Sequence, residues 1–264
     1  MFLPTIPLNG YAGWKFLQTT LDRQQEAFNN NSSLKNDIAY FSDRLKDPIS
    51  LDDFIADRRL LRITVTAFGL AGEENKGALV KRVLKEGVLD EQALVYRLGN
   101  PKYTALATAI PVIDGEIFIN SEARAKMIAN FQKESFNIAV GEVNNNMRLA
   151  LNYSQEMTDI VNRSQSDDAI WYSILGSTPV RTVLEGALSL PSEFRRLDVD
   201  KQVDILKTRA ASFLKISSPQ DLIDPAVMEK AIQRFQITEQ VKLGPNLSTP
   251  GYAGILLLQS SNLY

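Results

Sequence analysis

Residues 121–164 read SEARAKMIANFQKESFNIAVGEVNNNMRLALNYSQEMTDIVNRS, and this stretch decides the fold class. Ile128, Phe131, Ala139, Val143, Met147, Ala150, Met157 and Val161 recur at spacings of three, four or their sums, with Ser135 and Ser154 filling two intervening positions. A period close to 3.6 is one face of an α-helix. Roughly 40 residues at ~1.5 Å each would extend about 60 Å. The stretch therefore predicts one long central helix, with Gly141 and Asn144-Asn145-Asn146 as places for a kink.

Helical punctuation continues on both sides. Residues 10–30 and 33–46 predict two polar-rich helices separated by Asn29-Asn30-Asn31-Ser32, and Ser50-Leu51-Asp52-Asp53 resembles a capping box with Asp in place of Glu. Within residues 57–70, Ile63-Thr64-Val65-Thr66 alternates like a strand, yet no partner strand is evident and a helix is expected. Ala78, Leu79, Val83 and Leu84 resume the helical period before Gly87, and residues 91–98 and 103–110 predict short helices. Pro111 and Asp114-Gly115 bracket a candidate hairpin. Thr178-Pro179, Ser218-Pro219 and Asp224-Pro225 each set a capping side chain before proline, predicting helices near 168–176, 179–189, 198–214, 219–223 and 225–236.

The expected fold is all-α: a multi-helix bundle with one long central helix and two related helical subdomains. Five segments are expected: N-terminal assembly helices (1–46), a first subdomain (47–119), the long connecting helix (120–164), a second subdomain (165–243) and a flexible C-terminal tail (244–264).

Two internal echoes accompany this pattern. Gly10-Tyr11-Ala12-Gly13-Trp14-Lys15-Phe16-Leu17-Gln18-Thr19-Thr20 recurs as Gly251-Tyr252-Ala253-Gly254-Ile255-Leu256-Leu257-Leu258-Gln259-Ser260-Ser261. The match reads either as chance or as two termini suited to docking on similar surfaces. Leu61-Arg62 leading to Ala67-Phe68-Gly69-Leu70 parallels Val180-Arg181 leading to Ala187-Leu188-Ser189-Leu190, either by relation or by convergent amphipathic patterning.

The 264 residues contain no histidine and no cysteine. Ser/His/Asp or Cys/His catalysis and an ordinary zinc site cannot be built from such a chain alone. A net charge of −2 offers no basic surplus for phosphates, so no nucleic-acid partner is expected. No run of about 18 apolar residues occurs, so no membrane insertion is expected. The start lacks the pattern of a secretory signal. The expected location is cytoplasmic or flagellum-associated, with signal-independent export left open.

Asp57-Arg58-Arg59, with Arg62 one turn on, reads as an anion or carboxylate clamp, or as a helix start whose arginine stems pack on neighbours. Asp52-Asp53 and Asp167-Asp168 sit beside expected helix starts, where acidic residues are favoured anyway. Gly69, Gly72 and Gly77 lack the spacing of a phosphate loop. Trp14 and Trp171-Tyr172 read as interface anchors or as core. The first helix mixes Phe16, Leu17, Leu21 and Phe28 with Gln24, Gln25 and Asn29, a surface suited to assembly. The candidate partner-binding set is Trp14, Phe16, Leu17, Leu21, Arg58, Arg59, Tyr252 and Leu256. No catalytic, cofactor-binding or metal-ligating residue is nominated.

The blocks Gly13-Trp14 to Gln24, Tyr40-Phe41 and Asp57-Arg58-Arg59-Leu60-Leu61 through Ala67-Phe68-Gly69-Leu70 resemble the family catalogued as domain of unknown function 1217. So do Val83-Leu84-Lys85-Glu86-Gly87, Arg97-Leu98, Gly141-Glu142 with Arg148-Leu149-Ala150-Leu151, and Leu188-Ser189-Leu190-Pro191, in the family's order. The resemblance covers most of the chain. It implies an α-helical alphaproteobacterial protein encoded among flagellar genes, with no assigned catalytic residue. The expected function is a non-enzymatic flagellar structural or assembly protein with protein partners and a role in motility; the alternative is a cytoplasmic adaptor or flagellar export chaperone. Deleting residues 1–30 or 245–264 is expected to impair complex formation while leaving the core folded.

Overall fold

The computed structural model describes residues 3–242, and these fall into two compact units: residues 3–4 with 21–139, and residues 5–20 with 140–242. The fold is all-α apart from three two-residue strands. The units do not follow the five segments expected from the sequence. The boundary at 139/140 lies inside a helix, and the expected N-terminal segment is divided, because the first half of its first helix packs with residues more than two hundred positions away.

The first unit contains the second half of α1 (Gly10–Asn29), α2 (Ser32–Arg44), α3 (Leu51–Ala56), α4 (Arg58–Ala67), α5 (Gly77–Glu86), α6 (Leu94–Leu98), α7 (Pro101–Ala109) and most of α8 (Ser121–Val143). Helix α4 lies at its centre against α2 and α3, with Leu60, Leu61, Ile63 and Val65 buried. Its β-branched run is helical because every side chain from Ile63 to Ala67 is buried, and the Thr64 hydroxyl donates to Leu60 O at 2.8 Å. Burial on several sides overrides the local strand preference. The expected hairpin is present: β2 (Val112–Ile113) and β3 (Glu116–Ile117) flank Asp114 and Gly115, both at positive φ. The sequence did not show that β1 (Ile49–Ser50) pairs with β3 to make a third strand.

The expected single helix over 121–164 is two helices, α8 and α9 (Asn145–Arg163). Asn144 takes extended backbone (φ −154°, ψ 106°), and its side chain accepts from the Asn146 and Met147 amides. An asparagine gains more by capping a new helix than by continuing an old one. Val143, expected on the buried face, is exposed at the end of α8, whereas Met147, Ala150 and Met157 are buried along α9.

In the second unit α9 is followed by α10 (Asp167–Gly176), α11 (Thr178–Ala187), α12 (Val199–Leu214) and α13 (Pro225–Lys242). Helix α11, not the 121–164 stretch, holds its centre: Val180, Val183, Leu184 and Ala187 are buried, and α11 packs on both α9 and α13. Trp171 is core, while Tyr172 is exposed and donates to Asp200.

The fainter echo corresponds to a shared local geometry. Both α4 and α11 end in Schellman caps: Gly69 (φ 67°) and Ser189 (φ 53°) turn left-handed, and Leu70 N and Leu190 N reach back to Val65 O and Glu185 O, each at 2.9 Å. A short 3-10 turn follows each, at Glu73–Lys76 and Ser192–Arg196. The register pairs cap Asp57 with cap Ser177 and Leu60 with Val180, so Arg62 does not correspond to Arg181 as the sequence suggested.

Gly186 of α11 faces the Phe235 ring of α13, and a Cβ there would sit 2.7 Å from Phe235 Cδ2. Gly186→Ala is therefore expected to destabilise the protein by about 1–3 kcal/mol through overpacking, more than the ~1 kcal/mol that helix propensity returns. Urea denaturation checks this; a stabilised variant would contradict the packing.

Candidate functional site

The nominated residues do not form one site. Trp14 is 3% exposed and Leu17 is fully buried, so neither is available to a partner. Both belong to the second unit, whereas Leu21 is half-buried in the first. Phe16 is also half-buried. Tyr252 and Leu256, with the expected tail 244–264, lie outside the described residues. Deleting residues 1–30 would remove buried Trp14, Leu17 and Phe28, so the expectation that the core survives this deletion is corrected.

The first half of α1 is held by one acceptor that the sequence did not reveal. The Glu229 carboxylate of α13 receives Tyr11 Oη at 2.8 Å, Trp14 Nε1 at 3.3 Å, Lys15 Nζ at 3.1 Å and Gln18 Nε2 at 3.1 Å. Positions 11, 14, 15 and 18 share one helical face, which is why four donors converge on one group. Gly10 allows a close approach to α13, and Gly13 allows that of the segment preceding α1. A Cβ on Gly10 (φ 63°) would lie 2.2 Å from Gln240 Oε1, and one on Gly13 would lie 1.9 Å from Leu8 O. Burial works against ionisation of Glu229, but the donors outweigh it and hold the carboxyl below its ordinary value.

Arg58 and Arg59 are exposed but engaged. Arg58 donates to Asn75 Oδ1 at 2.8 Å; Arg59 pairs with Asp37 at 2.8 Å and lies 4.4 Å from the centre of the Tyr40 ring. Arg62 reaches the same Asp37 at 2.6 Å. Asp57 caps α4 through Leu60 N and accepts from Tyr40 Oη at 2.6 Å and Arg44 Nε at 3.1 Å. The guanidinium clamp read from the sequence thus already grips the chain's own Asp37 carboxylate and Asn75 amide. Asp52 and Asp168 lie in the first turns of α3 and α10, as expected, and they also pair with Lys81 and Lys207. Among the described residues, no group of three or more acidic side chains is placed to hold a metal ion.

A groove of about 420 Å³ opens in the second unit, lined by Leu190, Pro191, Phe194, Leu197 and Ile205 together with Glu193, Asp204, Thr208 and Arg209. The cap at Ser189 turns the chain out of α11 to form one wall, and α12 forms the other. The wall is fixed by side-chain bonds: Glu185 Oε2 accepts from Arg195 Nε and Nη2 at 2.8 and 2.5 Å, Arg181 donates to Gln202 Oε1 at 2.8 Å, and Gln202 Nε2 donates to Leu197 O at 2.7 Å. Leu197 is 40% exposed, and nearby Val199, at the start of α12, is 52% exposed. Sequence reasoning missed this groove, although Leu188-Ser189-Leu190-Pro191 was one of the family blocks.

A family model described as a protein of unknown function, DUF1217, matches residues 67–226. The chain belongs to this family. The matched span includes the groove and stops short of Glu229. An X-ray crystal structure of a protein from Agrobacterium tumefaciens is similar, with a TM-score of 0.68 and 22% identity over 92% of this chain and 100% of its own; the likeness bears on fold alone. No curated protein matches the chain. Among the described residues of this DUF1217 protein, no helix is long and apolar enough to cross a membrane.

Because the Glu229 pKa is lowered in the folded state, its contribution is present above the ordinary carboxyl value of 4.5 and is lost as pH falls through the folded value. Trp14 fluorescence is expected to hold steady from about pH 7 to 5 and to shift on further acidification. Glu229→Gln should remove that acid step and cost about 1.5–3 kcal/mol at neutral pH. An acid step unchanged in the variant would assign it to another group.

Proposed function

We propose that this DUF1217 protein is a non-enzymatic structural or assembly protein acting through protein–protein contacts, in the flagellar setting that its family resemblance implies. The observation that supports this reading is the groove beside α12, where exposed Leu197 and Val199 continue an apolar lining. Apolar side chains on a braced wall, with polar groups at the rim, suit the aliphatic face of a partner helix. The arginine cluster at Asp57–Arg62 has internal partners, so it does not compete with the groove as a docking surface.

Fractionation of flagellar basal structures carrying the tagged protein tests the reading. Co-fractionation supports a structural role, and retention in the soluble pool together with exported subunits favours the export-chaperone alternative. Leu197→Glu with Val199→Glu is expected to reduce association and swimming while changing stability by no more than about 0.5 kcal/mol per site, because both side chains are exposed. Normal association and motility in that variant would remove the groove from the function.

A further inference from the structure

We propose that the groove beside α12 receives a basic amphipathic helix of a partner protein, one whose aliphatic face is flanked by lysine or arginine. The inference rests on reading the groove as a docking face and adds the charge of what docks. A carboxylate stands in each wall beside the apolar lining: Glu193 on the chain leaving α11, and Asp204 on α12. Both residues are exposed. The Asp204 carboxylate is in no hydrogen bond or ion pair among the described residues, and that of Glu193 accepts from the neighbouring Ser192 hydroxyl at 3.0 Å. Asp204 lies beyond the first turn of α12, so the attraction of a helix N-terminus for acidic side chains does not account for it.

Neighbouring cations do not cancel these charges. Arg209 lines the groove but lies over the Phe213 ring, 5.6 Å from its centre, and one guanidinium against two carboxylates leaves the lining net negative. Arg195 is held by Glu185 and Lys207 by Asp168, while Arg196 and Lys201 do not line the groove. Acidic charge also continues from α12 onto α10. Tyr172 donates to Asp200, and its hydroxyl is held above its ordinary value first by that bond, then by burial and by the charges of Asp200, Asp168 and Asp204. A negative border attracts a cationic partner and repels phosphate, so neither an anionic lipid surface nor a nucleic acid fits it.

This charge separates the available occupants. Residues 243–264 include the apolar run Ile255-Leu256-Leu257-Leu258 but no charged side chain, so that segment does not answer the carboxylates. The basic helices α4 and α5 keep Leu60, Leu61, Val80, Val83 and Leu84 buried, so a second copy presents no basic aliphatic face from either. A partner helix that sets aliphatic side chains against Leu197 and Ile205, with cationic groups over Glu193 and Asp204, matches both features of the groove.

The full-length protein is titrated, by fluorescence anisotropy, with labelled peptides of about 18 residues, long enough to hold a helix. They share one leucine face and carry lysine, glutamine or glutamate on the other. At about 0.15 M salt the lysine peptide should bind about tenfold more tightly than the glutamine peptide, and the glutamate peptide most weakly. Glu193→Gln with Asp204→Asn should erase that preference and leave glutamine-peptide binding unchanged. Glu122→Gln with Glu142→Gln, the same change of charge outside the groove lining, should preserve it. Leu197→Ser with Val199→Ser should weaken all binding. No binding, or binding indifferent to that last variant, would remove the groove as a docking face and this inference with it. Binding that the last variant weakens, but with glutamine and lysine peptides bound equally or a preference that survives Glu193→Gln with Asp204→Asn, would overturn the charge inference alone. Lysine-peptide binding that appears only after Leu256→Asp with Leu257→Asp would give the groove to the chain's own end, and a dimer dispersed by Leu197→Ser with Val199→Ser would give it to a second copy. Either result overturns the proposal.

Discussion

A single carboxylate fixes the beginning of the chain. Glu229 gathers four donors from one face of α1, and Gly10 leaves room for Gln240 of α13 beside the start of that helix. Trp14 and Leu17 are buried because that anchor aligns their face with the second unit's core. A part-buried charge is costly unless its acceptor positions are filled, and convergence of four donors answers that requirement. Residues that look suited to an external partner are consumed by the fold in this way. Beside α12 the apolar surface does not close, and Leu197 and Val199 stay exposed there.

The two units use the same local device. A buried helix begins at a side-chain cap, ends in a left-handed residue and turns through a short 3-10 segment. In the first unit this device leads through Glu73–Lys76 into α5; in the second it leads through Ser192–Arg196 and leaves the groove. Glycine at 69 takes the left-handed conformation without strain, whereas Ser189 takes it with a Cβ. The left-handed turn at Ser189 therefore carries a conformational cost that the one at Gly69 does not.

The arginine cluster marks the limit of reading charge from sequence. Asp57-Arg58-Arg59 stands out as letters, yet its partners Asp37, Tyr40 and Asn75 are seventeen or more positions away and belong to no motif. Glu229 is further still, over two hundred residues from the donors it collects. A pairing set by tertiary proximity leaves no periodic trace, so the sequence showed the donors and not the acceptors.

The sequence by itself determined the helices and most of their ends, since these follow from contacts within three or four residues: Ser50 and Asp224 make the caps read for them, whereas α11 is capped by Ser177 and not by Thr178, which is its first helical residue. It also carried the family blocks and the terminal echo. Only the tertiary structure decided that Asn144 ends one helix to start another, that α11 and not the 121–164 stretch is the second unit's centre, and which apolar residues stay exposed. Helical period marks that a face is apolar; what covers that face depends on segments brought together from distant parts of the chain, and local physics holds no record of them.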